Sequence, residues 1–545
     1  MALTCCDQIE STEKAAPDDP PTAAEGDPSA FNTDHLHADL SGHSVRGGVI
    51  TLLTQGGRFA ANMLGMAVLA RLLTPGDFGL VLMIYALTGF VEMFKDMGLS
   101  TATVQVQKIN HQQLSALFWL NVLLGATLTL LVAAASPLVS WFYHDARLTR
   151  MTIILSTTFL IGGLSTQHRA ILTRQMRFTA LGLTDLIGFC AGMVAAIAYA
   201  LITHSVWALV VLQIVQNIVT TISSWIVARW IPSLPLRRSG VNGMLKFGAN
   251  LAGFNFINYF ARNMDNVLVG KYWGQAILGL YGRAYQLLML PIMQISMPFS
   301  KVAIPTLSRL QNDPNKFRAY YRKGVMLLAF LGMPVVVLLF VTADETIRVC
   351  LGRQWGAAVP MFRVLAPAAF FGTFNMATGW VYTSRGDTHR QLRWGLLTSA
   401  VTVIAFFIAV PHGPVAVGGA FSIVYCTLTM GYPAFAYCFR GTPLRINDMV
   451  QAIWRPSAAS LAAGAVLWAA MPFLRGHGPA VFTLAAASIL YAIAYFAFWV
   501  ILPGGMEFIR GVMSLAGHLR PKRARMASAV EGVGKKIGEP LIVLN

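Results

Sequence analysis

The sequence "NYFARNMDNVLVGKYWG", residues 258–274, places charged and amide side chains inside a stretch that is otherwise apolar enough to cross a membrane. Arg262, Asp265 and Lys271 carry the charge, and three asparagines accompany them. An arginine, lysine or aspartate at the centre of a membrane helix costs about 2.5–3.5 kcal/mol on insertion scales, so such residues face a protein interior or a water-filled cavity. The stretch therefore predicts membrane helices that enclose a polar interior.

The composition of the whole chain agrees with this prediction. Of 545 residues, 55% are hydrophobic and 12% are charged, and the mean hydropathy is +0.58. Soluble domains carry about 25% charged residues. Apolar runs of about 20 residues, the width of a bilayer core, recur along the chain and predict an all-α polytopic membrane protein with about 14 transmembrane helices. The predicted spans are 46–73, 78–98, 114–142, 151–173, 178–202, 206–229, 243–270, 278–304, 323–342, 357–382, 392–410, 414–439, 454–474 and 479–502.

The Lys/Arg content of the connections predicts the orientation. Even-numbered connections hold 21 of these residues and odd-numbered connections hold 6, so both termini are expected on the cytoplasmic side. Most of the positive charge is explained by topology and by attraction to anionic membrane lipids. The longest connection, 305–322, is predicted to be an amphipathic cytoplasmic connector.

The ends of the chain differ from the helical part. Residues 1–42 hold nine acids and one base and are rich in proline, which predicts a disordered cytoplasmic tail and not a signal peptide. Six cysteines show no ligand spacing, so neither a metal site nor a cofactor is expected. The predicted organisation is an acidic tail 1–42, a six-helix bundle 43–232, a second bundle 240–440 with helices 7–12, helices 13–14 in 450–503, and a basic cytoplasmic tail 504–545.

A repeat is predicted at an offset of 200 residues. Identical pairs are Ala61/Ala261, Gly79/Gly279, Leu80/Leu280, Tyr85/Tyr285 and Leu87/Leu287, and polar pairs are Gln55/Asn255, Arg58/Asn258, Asn62/Arg262 and Arg71/Lys271. The polar positions step by three or four residues, so each set forms one stripe on a helix. An even number of spans separates the copies, which is the pattern of parallel repeats.

Polar residues within the predicted spans are the candidate site. Those expected to line a transport cavity are Arg58, Asn62, Asn258, Arg262, Asn266 and Arg283. Three acids, Glu92, Asp96 and Asp265, are candidates for ion coupling or for ion pairs. A structural alternative stays open for each of them: Arg262 and Asp265 could form a local ion pair, and Asp96 could lie at the membrane interface.

Other functional classes lack their motifs. The sequence contains no GxxxxGK[ST] phosphate loop, no HExxH motif and no recognisable Ser-His-Asp set, and its predicted outer connections are short. An enzyme is therefore disfavoured, and no nucleic acid is expected as a partner. His168 is expected to be a polar residue near a connection.

Four motifs carry a resemblance to a known family. They are "ARLLTPGDFGL" (70–80), "FKDMGLSTATVQ" (94–105), "ILTRQMRF" (171–178) and the block 262–313 with "RNMDNVLVGKYWGQAILGLYGRAYQLLMLP" and "PFSKVAIPTLSRLQND". They resemble the polysaccharide-transporter flippases (Wzx-like) of the multidrug/oligosaccharidyl-lipid/polysaccharide exporter superfamily, from about residue 44 to 500. The resemblance implies two pseudo-symmetric bundles around a central cavity, alternating access, and a match to the family block at Arg262, Asp265, Asn266 and Gly270.

The function that this resemblance implies is translocation of an undecaprenyl-diphosphate-linked oligosaccharide across the bacterial inner membrane for exopolysaccharide, capsule or O-antigen (lipopolysaccharide) synthesis. A polysaccharide polymerase and glycosyltransferases would be its partners. Alternatives are a peptidoglycan-precursor flippase, or a multidrug antiporter, which the excess of bases in the predicted cavity disfavours. A membrane scaffold of a synthesis complex is the non-transport alternative, and it leaves Arg58 and Arg262 unexplained.

Overall fold

The computed structural model describes residues 61–94, 109–234, 242–475 and 478–508, together with residues 56, 57, 59, 100, 103, 104 and 510. In this part of the chain the α-helices, in order, are α1 Ala61–Leu72, α2 Pro75–Thr88, α3 His111–Tyr143, α4 Arg147–Arg174, α5 Phe178–Thr203, α6 Trp207–Ala228, α7 Asn242–Arg309, α8 Pro314–Val341, α9 Ala343–Cys350, α10 Val359–Gly372, α11 Met376–Arg385, α12 Thr388–Ala409, α13 Pro414–Val424, α14 Tyr432–Cys438, α15 Ile446–Leu474 and α16 Ala480–Ile501. Short 3₁₀ turns at Gly89–Met93, Arg353–Ala358 and Val410–His412, and a π turn at Tyr425–Thr429, join some of them.

The described residues contain 12 helical segments that are long and apolar enough to span a membrane. The prediction of a polytopic all-α membrane protein is therefore confirmed. Two predicted spans are not separate segments among the 12. Only α1 of the first predicted span is described, and α7 holds the seventh and eighth spans together. The number 14 stays a prediction.

Helix boundaries follow local capping chemistry. The Thr74 side chain accepts a hydrogen bond from the Asp77 backbone amide, and the Asp77 carboxylate accepts one from the Thr74 amide. Pro75 at the first helical position is already in helical geometry, so "TPGD" starts α2. Asn110 and Gln113 make the same reciprocal pair at the start of α3. Such caps each stabilise a helix by about 1 kcal/mol.

The long helix α7 is interrupted at one residue. Gly274 has φ +78° and ψ 178°, a conformation that glycine adopts without steric cost, and the helix resumes on its far side. The break falls where the seventh predicted span ends, beyond Lys271. The predicted connector 305–322 is largely helical, because α7 continues to Arg309 and α8 begins at Pro314. Charged residues can continue a helix into water once an apolar core has anchored it.

We call residues 61–234 the first half and residues 242–438 the second half. In the first half α3 packs along α4, α5 along α6, and α4 along α6. In the second half α10 and α13 pack together against α7, and α12 packs on α13 and α7. Helices α15 and α16 pack on each other, and α15 packs on α8. Apolar side chains such as Ile202, Leu234 and Trp141 are largely exposed on the outside, as expected of a surface that faces lipid.

The buried side chains reveal how the halves join. One large core contains residues of both halves, including Met66 and Phe78 from the first and Val269 and Trp355 from the second. At the other end each half has its own core. Phe118, Trp230 and their neighbours form the one in the first half, and a separate cluster of α7, α8, α11 and α14 residues forms the one in the second. The halves are therefore packed together towards one end of their helices.

Candidate functional site

The joint between the halves is built on two helix starts that are 200 residues apart in sequence. A methyl group on Gly79 would lie 1.7 Å from the carbonyl oxygen of Gln275, and one on Gly279 would lie 1.8 Å from the carbonyl oxygen of Pro75. The contact is reciprocal, because position 79 meets 275 and position 279 meets 75. Two equivalent helices that cross about a pseudo-two-fold axis give this pattern. The predicted repeat is therefore visible as a contact between its own copies.

Polar contacts across the joint repeat the same reciprocity. An Arg71 Nη donates to the Val349 carbonyl oxygen at 2.7 Å, from the first half to the second. Its repeat partner Lys271 donates to the Phe142 carbonyl oxygen in the opposite direction, and its Nζ lies 3.1 Å from His144 Nε2. Both cations thus bind carbonyl or ring acceptors of the other half. Lys271 directly follows the end of the seventh predicted span, 243–270, and it also joins the halves.

A carboxylate orients another cross-half contact. The Arg147 guanidinium donates to Asp145 at 2.7 Å and to the Gln275 side-chain oxygen at 2.8 Å. The hydrogen bond from Arg147 lowers the pKa of the Asp145 carboxyl below its usual value. Asp145 therefore stays ionised at neutral pH and holds Arg147 towards the second half.

The joint lies at the end of the molecule formed by the odd-numbered connections. Its residues come from the connections α1–α2, α3–α4 and α9–α10, and from the break at Gly274. Trp355, from the α9–α10 connection, donates its indole N–H to the Ala70 carbonyl oxygen at 2.8 Å. The charge distribution predicts that this end faces outwards. The opposite end, where the halves have separate cores, is the end predicted to face the cytoplasm.

The quoted stretch holds an acid and a base in different environments. Asp265 is buried, with 7% of its surface exposed, and accepts a hydrogen bond from the Tyr281 hydroxyl at 3.0 Å. Arg262 is exposed and makes no hydrogen bond or ion pair with a described residue. The alternative of a local Arg262–Asp265 ion pair is therefore wrong for the contacts among described residues. Tyr281, on the far side of Gly274, takes the place that this alternative gave to Arg262.

The surroundings of Arg262 are polar and aromatic. The side chains of Tyr285 in α7 and Tyr425 in the π turn lie near Arg262, and Asn375 lies beside Tyr425. A π turn is uncommon in a helix and is often found at functional sites, because it redirects side chains. Among the described residues, this part of the second half therefore places Arg262, without a carboxylate partner, beside hydroxyl and amide groups.

The other predicted site residues divide into three groups. Asn62 on α1 and Asn266 on α7 are half-buried, and Glu92 is exposed in the 3₁₀ turn after α2. Arg283 stacks on Phe78 across the joint, with 4.1 Å between its guanidinium carbon and the ring centroid, and also donates to Gln286. Arg58, Asp96 and the side chain of Asn258 lie outside the described residues.

The first half contains a polar pocket that sequence reasoning missed. Its volume is about 570 Å³, and its walls come from α4, α5, α6 and the segment before α3. Arg169 on α4 forms an ion pair with Asp185 on α5 at 2.7 Å inside it. Arg169 is one of the 21 Lys/Arg residues that the orientation prediction assigns to even-numbered connections. The spacing of Ser165 and Arg169, and of Gln216 and Thr220, is the signal that could have found it, since each pair shares a helix face.

Among the described residues, no group of three or more His, Cys, Asp or Glu side chains is close enough to hold a metal ion. His168, whose side chain is buried, stacks on Trp225 with 4.3 Å between ring centroids, and its Nε2 donates to the Trp230 carbonyl oxygen at 3.1 Å. It is a packing residue of the first half.

Comparison with known proteins identifies the family. Residues 68–360, more than half of the chain, match the family described as "Polysaccharide biosynthesis protein". The chain belongs to this family. The match begins in α1 and includes the joint, the quoted stretch and the first-half pocket.

Similar members are named for polysaccharide biosynthesis or transport. The teichuronic acid biosynthesis protein TuaB of Bacillus subtilis (strain 168) is 26% identical over 70% of this chain and 79% of that protein. The lipopolysaccharide biosynthesis protein WzxC of Escherichia coli (strain K12) is 22% identical over 63% of this chain and 70% of that protein. The succinoglycan biosynthesis transport protein ExoT of Rhizobium meliloti (strain 1021) is 23% identical over 88% of this chain and 97% of that protein.

Solved structures share the fold. The lipid II flippase MurJ, in an inward closed conformation, superposes with a TM-score of 0.69 at 15% identity, covering 85% of this chain and all of that one. A multidrug resistance MATE family transporter of the MOP superfamily, in an inward-facing conformation, gives a TM-score of 0.55 at 13% identity, covering 73% of this chain and 94% of that one. At these identities the likeness concerns the fold. The family and the fold together establish a multi-pass membrane protein of the polysaccharide biosynthesis family.

Proposed function

We propose that this chain is a flippase that moves an oligosaccharide linked to undecaprenyl diphosphate across the bacterial inner membrane, with both termini in the cytoplasm. The family and its relatives support the class of cargo, because their names refer to polysaccharide biosynthesis and transport. The exposed, uncompensated Arg262 beside hydroxyl and amide groups supports an anionic head group. The peptidoglycan-precursor flippase and the multidrug antiporter are the alternatives within the superfamily.

The reciprocal joint at Gly79 and Gly279 carries the mechanistic part of the proposal. Its backbones touch without intervening side chains beside the large core that both halves share, so opening the joint would separate that core as well. The state described here is joined at the end predicted to face outwards, so it receives cargo from the cytoplasmic leaflet. Parting the joint and closing the opposite end would release cargo to the outer leaflet, which is alternating access.

Within this mechanism we assign roles to the predicted residues. Arg262, with Asn62, Asn258 and Asn266, would bind the diphosphate, because a guanidinium makes charge-assisted hydrogen bonds to phosphate oxygens. Asp265, held by Tyr281, would be the candidate coupling group of α7. The predicted bundle 43–232 would move against the predicted bundle 240–440, with residues 450–503 attached to the latter. A polymerase and glycosyltransferases remain proposed partners.

Transport by the purified protein is the first test. Reconstituted vesicles should move lipid-linked oligosaccharide, extracted from a host strain that lacks this chain, between leaflets faster than protein-free vesicles do. Lipid II and a cationic dye serve as the alternative cargoes. Movement of lipid II alone would support the peptidoglycan-precursor alternative, movement of the dye alone the antiporter, and movement of none of them a scaffold.

A reversible cross-link tests whether the joint must open. A Cβ on Gly76 would lie 3.7 Å from Gln275 Cγ, which is compatible with a disulfide between cysteines at these positions. In a background without the native cysteines, Gly76→Cys/Gln275→Cys should stop transport on oxidation and regain it on reduction. Each single cysteine variant should be insensitive to both treatments. Full transport by the oxidised double variant would mean that the joint does not open.

A further inference from the structure

The pocket of the first half has a hydrogen-bonding character of its own. Its polar wall consists of side chains from α4, α5 and α6 and one residue before α3. Its volume of about 570 Å³ lies in the range of small-molecule sites and exceeds what a single ion requires. In the predicted orientation it lies in the cytoplasmic part of the first half, because it uses the C-terminal half of α4 and the N-terminal part of α5. It therefore lies towards the end at which the halves have separate cores.

Three hydroxyl groups of the pocket, all on α4, donate their protons to carbonyl oxygens of their own helix. Ser165 and Thr166 both donate to the Gly162 carbonyl oxygen at 2.9 Å, and Thr173 donates to the Arg169 carbonyl oxygen at 2.9 Å. A hydroxyl that donates to the backbone has lone pairs left as acceptors. The Asn217 amide nitrogen likewise donates to the Gln213 carbonyl oxygen at 2.8 Å, and its side-chain oxygen remains an acceptor.

The charged side chains that line the pocket form an ion pair. Arg169 donates two hydrogen bonds to Asp185, at 2.7 and 3.3 Å, so guanidinium and carboxylate compensate each other. A phosphate group requires donors and positive charge, whereas this wall offers mainly acceptors around a neutral pair. The hydroxyl groups of a ligand can donate hydrogen bonds to the acceptors of such a wall. The Gln216 side chain, which makes no hydrogen bond with a described residue, adds one amide that can both donate and accept.

We propose that this pocket binds the sugar part of the cargo through its hydroxyl groups, while Arg262 in the second half binds the diphosphate. This inference rests on the proposed function, since it divides the same cargo between two places. A pocket of hydrogen-bond acceptors distinguishes strongly between ligands that have a hydroxyl at a given position and ligands that lack it. Without the hydroxyl, the acceptor in the desolvated site is left unsatisfied. The first half would then select the glycan, and the second half would bind the group common to all lipid-linked cargoes.

The test compares two probes on the same protein in lipid nanodiscs. One probe is undecaprenyl diphosphate, and the other is the lipid-linked oligosaccharide extracted from the host strain that lacks this chain. The variant Thr166→Val/Gln216→Leu keeps side-chain size and removes two polar groups. Its affinity for the oligosaccharide probe should fall about tenfold or more, and its affinity for undecaprenyl diphosphate should stay within about twofold.

Two further variants make the result decisive. Thr127→Val removes a hydroxyl that donates in the same way, to the Leu123 carbonyl oxygen, on an exposed face of α3, and should change neither affinity. Arg262→Ala should lower both affinities. If the pocket variant, eluting as a folded protein, binds the oligosaccharide probe normally or loses both probes equally, the sugar subsite is wrong. If the native protein binds neither probe, the proposed function itself fails.

Discussion

The two halves of the molecule each hold an arginine and an aspartate among their helices, in opposite arrangements. In the first half Arg169 and Asp185 bind each other across a polar pocket. In the second half Tyr281 hydrogen-bonds to Asp265, and Arg262 remains exposed. A paired guanidinium contributes little net charge, whereas an uncompensated one attracts anions. Whether an arginine lies within reach of a carboxylate, and not the presence of both residue types, therefore decides whether a pocket is neutral or cationic.

The largest loss of transport is expected from substitutions of the two equivalent glycines at the joint. Gly79→Ala and Gly279→Ala each place a methyl group against a backbone carbonyl, and should weaken the closed joint by about 3 kcal/mol. Because the contact is reciprocal, both should lower transport in vesicles to a similar degree. Gly379→Ala in α11, where a Cβ would meet nothing within 4 Å, is the control. A strong effect at only one of the two joint glycines would contradict their equivalence.

Removing the uncompensated cation should give the next largest effect. Arg262→Ala is expected to lower transport about 10- to 100-fold, because it deletes charge-assisted hydrogen bonds to the diphosphate. The unfolding temperature should not change, since Arg262 is exposed and binds no described residue. Arg309→Ala, at the exposed end of the same helix, controls for the loss of a positive charge. Normal transport by the Arg262→Ala variant would contradict the proposal that Arg262 binds the cargo.

A pair of double-mutant cycles measures how strongly the arginine and the aspartate of each half are coupled. Arg169→Met should lower the free energy of unfolding by about 1–2 kcal/mol, because the ion pair is partly shielded from water, and adding Asp185→Leu should restore much of it. Arg262→Ala with Asp265→Asn should show no coupling energy. Denaturant unfolding in detergent measures both cycles. Equal coupling in the two halves would remove the distinction drawn between them.

The smallest expected effect concerns pH at the joint. Asp145 has a depressed pKa in the folded protein, so its contribution to stability is present above its unfolded pKa and is lost as the pH falls through the folded one. The loss should begin below about pH 4. Between pH 6 and pH 3, Asp145→Asn should therefore lose less unfolding temperature than the native protein, by under about 2 °C, since Arg147 is exposed and screened. An identical pH dependence in the two proteins would deny Asp145 this role.

The fold was predictable because it depends on quantities that are local in sequence. Apolar run length determines membrane spans, and "TPGD" or Asn110 with Gln113 determines helix starts. Helix ends beyond the membrane were less predictable: α7 and α8 leave only four residues between Arg309 and Pro314 in place of the long predicted connector. Hydropathy reports where the bilayer ends, and it does not report where hydrogen bonding along a helix ends.

The site was less predictable because its contacts are tertiary. Arg262 and Asp265 are three residues apart and could have paired on one helix, but the break at Gly274 brings Tyr281 back to the carboxylate. The partners Arg169 and Asp185 are 16 residues apart and meet only because the chain reverses between α4 and α5. The repeat at an offset of 200 was predicted from sequence; that its copies touch at Gly79 required coordinates.

Because the joint lies at one end of the helices, a small tilt there produces a large displacement at their other end. Helix α3 has 33 residues and contacts Lys271 near its last turn. At 1.5 Å per residue it is about 50 Å long, so each degree of tilt at that end displaces the opposite end by about 0.9 Å. A tilt of about 12° would open or close a gap one helix wide. A small change in packing at Gly79 and Gly279 would thereby produce a displacement as large as a sugar at the opposite end of the helices.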